Sequence, residues 1–188
     1  DALVKVQLVS GNAEFNLLTN DDLYIDELDL GTISWPNNNQ NRFQPPANMV
    51  NYYGSVDDIE AVWLPVFYQE AKWENLQNDA IYEFGTNNFT LCPYYGRRCV
   101  QPYLLTVIKR IVEYFGYTFD TSFFDNNFLR NVYVCSAVSS NRVAAALPHW
   151  TVSEFFDELE KFLCAVTVVN ERTKVVSLVG LNDYFTES

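Results

Sequence analysis

Glycine is scarce and scattered in this 188-residue chain: the seven residues Gly11, Gly31, Gly54, Gly85, Gly96, Gly116 and Gly180 never fall within ten positions of one another. A loop that cradles phosphate needs clustered glycines, because backbone N–H groups must reach the anion without a Cβ in the way. The common nucleotide-binding loops are therefore excluded. Histidine is scarcer still, with His149 alone, and the four cysteines Cys92, Cys99, Cys135 and Cys164 lack paired C-x-x-C spacing. Zinc and redox sites need such pairs or a second histidine. No metal and no cofactor is expected.

Positive charge is the next shortage. Twelve Lys plus Arg stand against twenty-four Asp plus Glu, for a net charge of −12, and basic residues never run beyond the pairs Arg97-Arg98 and Lys109-Arg110. Nucleic acid is held by several convergent cations, so neither nucleic acid nor an anionic membrane surface is an expected partner. Long apolar runs are missing as well. The longest, Phe162 to Val169, spans eight residues and contains Thr167, far below the roughly 20 residues of a membrane span.

No Gly-x-Ser-x-Gly turn presents a serine, which leaves acyl transfer without its usual nucleophile. His149 stands in Pro148-His149-Trp150-Thr151 at the entrance to a helix, where packing or a local hydrogen bond is a more natural role than catalysis. A carboxylate pair for glycoside hydrolysis would meet only in the fold, so the twenty-four acids name none. No catalytic residue is assigned, and the chain reads as a non-enzyme.

Of the residues present, 48% are apolar, and a chain of this length buries roughly 70% of its unfolded surface. Asp1 opens the sequence without a Met, which reads as a piece of a longer protein or a processed chain. Cys135 lies in an apolar, strand-like run and Cys164 just past a helix, so both read as small buried hydrophobes. Cys92 and Cys99 flank Pro93-Tyr94-Tyr95-Gly96-Arg97-Arg98, a loop that a disulfide could close in an oxidising compartment. The other two, unpaired cysteines point instead to a reducing one.

The strongest pattern is a stripe written twice. Leu104, Val107, Ile108, Ile111, Tyr114 and Phe115 fall on one helical face, and 48 positions later the same face reads Val152, Phe155, Phe156, Leu159, Phe162 and Leu163. Gly116 follows the first helix where a C-terminal cap belongs, with Tyr117 to Phe119 extended beyond it. Thr151 and Glu154 have capping-box spacing before the second. Ala165 to Val169 and Lys174 to Val179, parted by Asn170-Glu171-Arg172-Thr173, predict a hairpin, and Asn131 to Val138 predicts a strand.

The first hundred residues are less regular. Val4, Val6 and Leu8 alternate, Gly11-Asn12 turns, and Phe15 and Leu17 resume the alternation, giving a hairpin. Leu23 to Leu30 reads as a strand with a solvated acidic face, since Asp26, Glu27 and Asp29 lack the spacing of a calcium loop. Ile59 to Tyr68 predicts a buried strand and Glu70 to Tyr82 a short helix around Trp73, Leu76 and Ala80. Asn88-Phe89-Thr90 is a lone glycosylation triplet. Between Gly31 and Gly54 lie three prolines, the run Asn37-Asn38-Asn39-Gln40-Asn41, and the aromatics Trp35, Phe43, Tyr52 and Tyr53. A long excursion of this kind is either functional or merely irregular surface, and these four aromatics are the candidate partner contacts. Exposed aromatics also suit a carbohydrate-binding surface.

These elements predict an α+β fold in which antiparallel hairpins pack with two amphipathic helices, around an irregular middle third. A β-rich region with a long loop covers 1–100, and an α+β region of tandem helix-strand units covers 101–188.

Three segments resemble tail or baseplate-hub components of tailed phages and prophages. They are Pro102-Tyr103-Leu104-Leu105-Thr106-Val107-Ile108 running on to Phe115-Gly116-Tyr117-Thr118-Phe119, Leu147-Pro148-His149-Trp150-Thr151-Val152 with Glu154-Phe155-Phe156, and the hairpin of Ala165 to Val169 with Lys174 to Val179. The likeness covers residues 101 to 184, with a faint extension over Gly11 to Gly31, and it consists mostly of hydrophobic spacing. Similar proteins tend to place a small or turn-forming residue such as glycine after the second helix, where this chain has Leu163-Cys164-Ala165. The resemblance implies structural, non-enzymatic work in a virion, through contacts with copies of the chain, as a homo-oligomer, or with neighbouring virion proteins.

Overall fold

The computed structural model describes residues 23–34, 42–43, 60–62, 64, 66–68, 76–78, 80–83, 88–91, 99–125 and 128–186. In chain order its strands and helices are β1 (Arg42–Phe43), β2 (Ala61–Val62), β3 (Val66–Phe67), β4 (Leu76–Gln77), β5 (Ala80–Glu83), β6 (Asn88–Leu91), β7 (Gln101–Pro102), α1 (Leu104–Tyr114), β8 (Thr118–Phe119), α2 (Val152–Leu163), β9 (Ala165–Asn170), β10 (Val175–Gly180) and α3 (Leu181–Thr186). Single 3₁₀ turns lie at Ser122–Phe124, Phe128–Asn131 and Ala144–Ala146. The fold is α+β.

Both predicted helices form, and their ends show why. At the close of α1, Gly116 N–H donates to the Glu113 carbonyl and Tyr117 N–H to that of Val112. This pair of bonds is a Schellman cap, and it needs the left-handed backbone that Gly116 adopts at φ +79°. α2 starts on a full capping box: Glu154 N–H donates to Thr151 Oγ1 at 3.2 Å, and Thr151 N–H returns the bond to the Glu154 carboxylate at 2.8 Å. Those bonds hold the Glu154 carboxyl below its ordinary value of 4.5, so the cap contributes above that pH and is lost as the pH falls through the lowered value. α2 ends on Cys164, 48 positions after Gly116, and Cys164 takes the same left-handed backbone at φ +50°. A Cβ there costs about 1–2 kcal/mol; the Cys164 N–H bond to Glu160 and its carbonyl bond from Leu181 hold it in place.

The two helix-strand units meet on one three-stranded sheet ordered β8-β10-β9. β10 pairs antiparallel with β9, from Val175 opposite Asn170 to Gly180 opposite Ala165, which is the predicted hairpin. On its other side β10 runs parallel to β8, with Val176 opposite Phe119. The sheet is therefore mixed, where hairpins alone were expected. Since β8 and β9 run in opposite directions, the 48-residue repeat is not a simple translation of one unit onto the other.

Leu104, Val107, Ile108 and Ile111 of α1 and Val152, Phe155, Phe156, Leu159 and Leu163 of α2 are buried in one cluster with Val169, Val176 and Leu178 of the sheet. Tyr114 and Phe162 depart from the predicted stripe. They occupy equivalent places in the two units and remain 48% and 61% exposed. At about 100° per residue each sits roughly 20° beyond Val107 or Phe155 on the helical projection, at the stripe's edge, and in the last turn the cluster no longer reaches them.

Leu23 to Leu30 is not a strand. Tyr24 makes a single bridge to Thr151 and the chain then turns, so that Ile25, Leu28, Leu30 and Ile33 join the main cluster. Arg110 of α1 clamps this segment: its guanidinium donates to the Leu30 carbonyl at 2.7 Å and the Thr32 carbonyl at 3.3 Å, and pairs with the Glu60 carboxylate. Gly31 lies between those carbonyls at φ +71°, and a Cβ there would stand 3.2 Å from Arg110.

Asn131 to Val138 is not a strand either. It runs beside β7 with one bridge, Tyr103 to Tyr133, and Val134 N–H donates to the Pro102 carbonyl. Pro102 has no N–H to return, so a ladder cannot grow past it. Ile59 to Tyr68, expected as one strand, holds two short ones in different sheets, β2 against β7 and β3 against β4. Within Glu70 to Tyr82, expected as a helix, the described residues form β4 and β5, and β5 makes a hairpin with β6. Asn78 separates these strands at φ +53°, a conformation that ends any helix, and so short an amphipathic segment has little helical stability of its own. The glycosylation triplet falls within β6. The predicted hairpin of residues 2 to 17 lies outside the described residues.

Phe156 is buried on the sheet side of α2 and meets Phe155 edge to face at 5.5 Å. Phe156→Ala is expected to cost about 3 kcal/mol or more in chemical denaturation, through lost burial and the cavity left behind. A cost below about 0.5 kcal/mol would show that this face is not packed.

Candidate functional site

Of the four aromatics singled out as partner contacts, Trp35, Tyr52 and Tyr53 lie outside the described residues. Phe43 lies in β1, opposite Phe89 of β6.

His149 is placed by three backbone contacts. Ile25 N–H donates to the Trp150 carbonyl, Val152 N–H to that of Leu23, and Tyr24 bridges Thr151. The imidazole then stacks on Tyr24, with ring centroids 3.9 Å apart and planes within 4°. Its Nδ1 lies 3.1 Å from each oxygen of Asp26. The ring is held by packing and a local carboxylate at an exposed surface, which is the role its sequence position favoured.

A second polar cluster is largely internal, built on the buried Asn78, Cys99 and Gln101. Two side-chain amides stand in for strand partners. Asn78 accepts from Cys99 N–H at 3.1 Å and donates to the Cys99 carbonyl at 2.9 Å. Gln101 accepts from Leu64 N–H at 2.9 Å and donates to the Leu64 carbonyl at 3.1 Å. Each amide closes a two-bond ring with the backbone, as a neighbouring strand would. A buried backbone group left unpaired costs about 1–3 kcal/mol, and these amides remove that cost where the chain is too irregular for a ladder.

Cys99 sits at the centre, with its Sγ 3.1 Å from the Ser136 carbonyl. Burial pushes its thiol up to about 11, with the Asn78 hydrogen bond only partly offsetting that effect. It stays protonated at neutral pH and is a poor nucleophile. Cys99 is a free thiol, while Cys92 lies outside the described residues. Cys135 and Cys164 correct the sequence reading, for both are exposed. Cys135 lies in the segment that fails to become a strand, and Cys164 occupies a cap that faces outward.

Among the described residues, no group of three or more His, Cys, Asp and Glu side chains could hold a metal ion. No helix among them is long and apolar enough to cross a membrane. Comparison with protein-family models, with curated proteins and with solved structures finds no match.

Sequence reasoning missed the surface at the end of α2. Phe162 there is exposed, and so are Tyr184 and Phe185 of α3, which are 44% and 71% exposed and meet edge to face at 5.7 Å. The Leu181 N–H donates to the Cys164 carbonyl at 3.0 Å and so seats α3 beside that end of α2. Two adjacent aromatics directly after a strand were the available signal.

Brief alkylation of the native chain, read by peptide mass spectrometry, is expected to modify Cys135 and Cys164 and to spare Cys99. Cys99 should react once the chain is unfolded without any reductant. Modification of Cys99 in the native chain would contradict its burial, and failure to react after unfolding would show it in a disulfide.

Proposed function

We propose that this chain is a structural component of a phage-tail-type particle, hub- or baseplate-like, which works by protein–protein assembly and not as an enzyme. The resemblance over residues 101 to 184 supplies the class of particle. The observation that carries the assembly reading is the exposure of Phe162 on α2 and of the edge-to-face pair Tyr184 and Phe185 on α3. Exposed apolar side chains that gather into a contiguous patch mark surfaces that bind other proteins. His149, stacked and hydrogen-bonded, and Cys99, buried and protonated, are both engaged in holding structure. The alternative of a carbohydrate-binding module rests on the aromatics of the first hundred residues, of which Trp35, Tyr52 and Tyr53 lie outside the described residues.

The reading places the chain in the virion. Mass spectrometry of density-purified particles from the parent phage or prophage is expected to detect it, and antibody-gold labelling should mark the tail. Particles that lack the chain altogether would contradict the proposal.

A further inference from the structure

The β8-β10-β9 sheet has two unlike faces. Ala165 and Val169 of β9 and Val176 and Leu178 of β10 are buried in the cluster with α1 and α2. Successive strand residues point to opposite sides, so the register fixes what the other face presents: Val166 opposite Val179, Val168 opposite Ser177, and Asn170 opposite Val175. None of these six side chains is buried, and none is charged. The margins are neutralised too, since the Asp120 carboxylate just past β8 accepts from Ser122 N–H at 3.0 Å, and Glu171 and Lys174 of the β9–β10 turn pair at 3.4 Å. The result is a contiguous, valine-rich, uncharged surface.

The same chain carries an apolar helix face of its own. All five side chains described in α3, from Leu181 to Phe185, are exposed, and Leu181, Tyr184 and Phe185 recur at i, i+3 and i+4, which puts them on one side. Tyr184 and Phe185 meet at 5.7 Å. A helix of six residues has little stability of its own, and side chains left 39%, 44% and 71% exposed add little until something covers them. The sheet of the same copy does not supply that cover. Asp183 Oδ2 stands 3.2 Å from where a Cβ at Gly180 would lie, and Gly180 has the parity of Val176 and Leu178, so Asp183 lies towards the side that α1 and α2 occupy.

We propose that α3 of one copy lies across the Val166, Val168, Val175 and Val179 face of a second copy, with Leu181, Tyr184 and Phe185 against the valines. This rests on the assembly reading and names the partner. Helices on both faces of one sheet make a stable layering, and the contact would complete it. Charge selects a copy as the occupant: a chain of net charge −12 meets its own acidic surface only at the cost of like-charge repulsion, whereas this face opposes no charge to α3. A basic partner would find no carboxylate on it. The helix and the sheet face are different surfaces, so the contact passes from one copy to the next.

Sedimentation of the full chain, up to millimolar concentration, tests the proposal. Association is expected to strengthen as salt screens the net charge, opposite to the behaviour of an ionic contact. Tyr184→Ser on the helix and Ser177→Lys on the sheet face, each checked for unchanged melting, should each weaken association about tenfold or more. Ser177 is already polar and unburied, so its replacement keeps the test usable where a valine variant fails to fold. Phe128→Ser, at an exposed aromatic on another element, should change nothing. Mixing the two defective variants is the decisive arm, because one intact helix and one intact sheet face remain between them: the mixture should form a dimer that neither variant forms alone. A wild-type chain that stays monomeric at every salt and concentration would overturn the proposal. So would wild-type association by either variant, or a mixture of folded variants that stays monomeric. None of these outcomes bears on whether the chain is found in the particle, so the two readings fail separately.

Discussion

Two amphipathic helices have to hide their apolar stripes on one small sheet, and the rest of the described structure is arranged around that requirement. β10 makes the arrangement work. Val176 and Leu178 at its centre are buried with the stripes of both helices, and its two edges take β8 in parallel and β9 antiparallel. Covered by both helices, this three-stranded sheet forms a single core with them. The turn at Ile25, Leu28 and Leu30 completes that core from a distant part of the sequence.

The remainder is attached by polar ties more than by sheet. Arg110 binds the carbonyls on either side of Gly31 and the carboxylate of Glu60, so one side chain of α1 gathers two earlier segments. Asn78 and Gln101 do the same for residues 64 and 99 through reciprocal bonds. Such ties are directional and fail when one partner is lost, because the other is left buried and unpaired. They fix where irregular chain sits with little apolar area to spend on it.

The legible parts of this fold were those whose signals are local and repeated. The doubled stripe apart from its edge residues Tyr114 and Phe162, the Thr151–Glu154 box, Gly116 as a cap and the β9–β10 hairpin each depend on residues a few positions apart, and each forms as the sequence predicts. The failures have a common physical cause. Asn131 to Val138 has strand-like composition, yet its neighbour Pro102 lacks the N–H a ladder needs. Leu23 to Leu30 looked like a strand with an acidic face until distant Trp150, Thr151 and Arg110 bent it into a turn. The Asn78–Cys99 pairing joins residues 21 apart through a side chain, and no periodicity announces it. The exposed Phe162 escaped for a subtler reason, because it belongs to the stripe by spacing but lies at its edge, beside the buried Leu163.

A chain of this design has its fold in one place and its candidate contacts at the margins, where regular elements run out: the ends of α1 and α2, and α3 beyond the last strand. Such a layout lets a surface bind without disturbing the core that presents it. The central claim is that both helix-strand units and the Ile25 to Ile33 turn belong to one cooperative core. Native-state hydrogen exchange tests it most directly. The account predicts that the slowest amides of α1, α2 and β10, together with those of Ile25 and Ile33, which bond to Trp150 and Asn141, open with a common free energy and shift together in mild denaturant. If α1 and the Ile25 to Ile33 turn exchanged well before α2 and β10, there would be two separate units, and the single shared core would be contradicted.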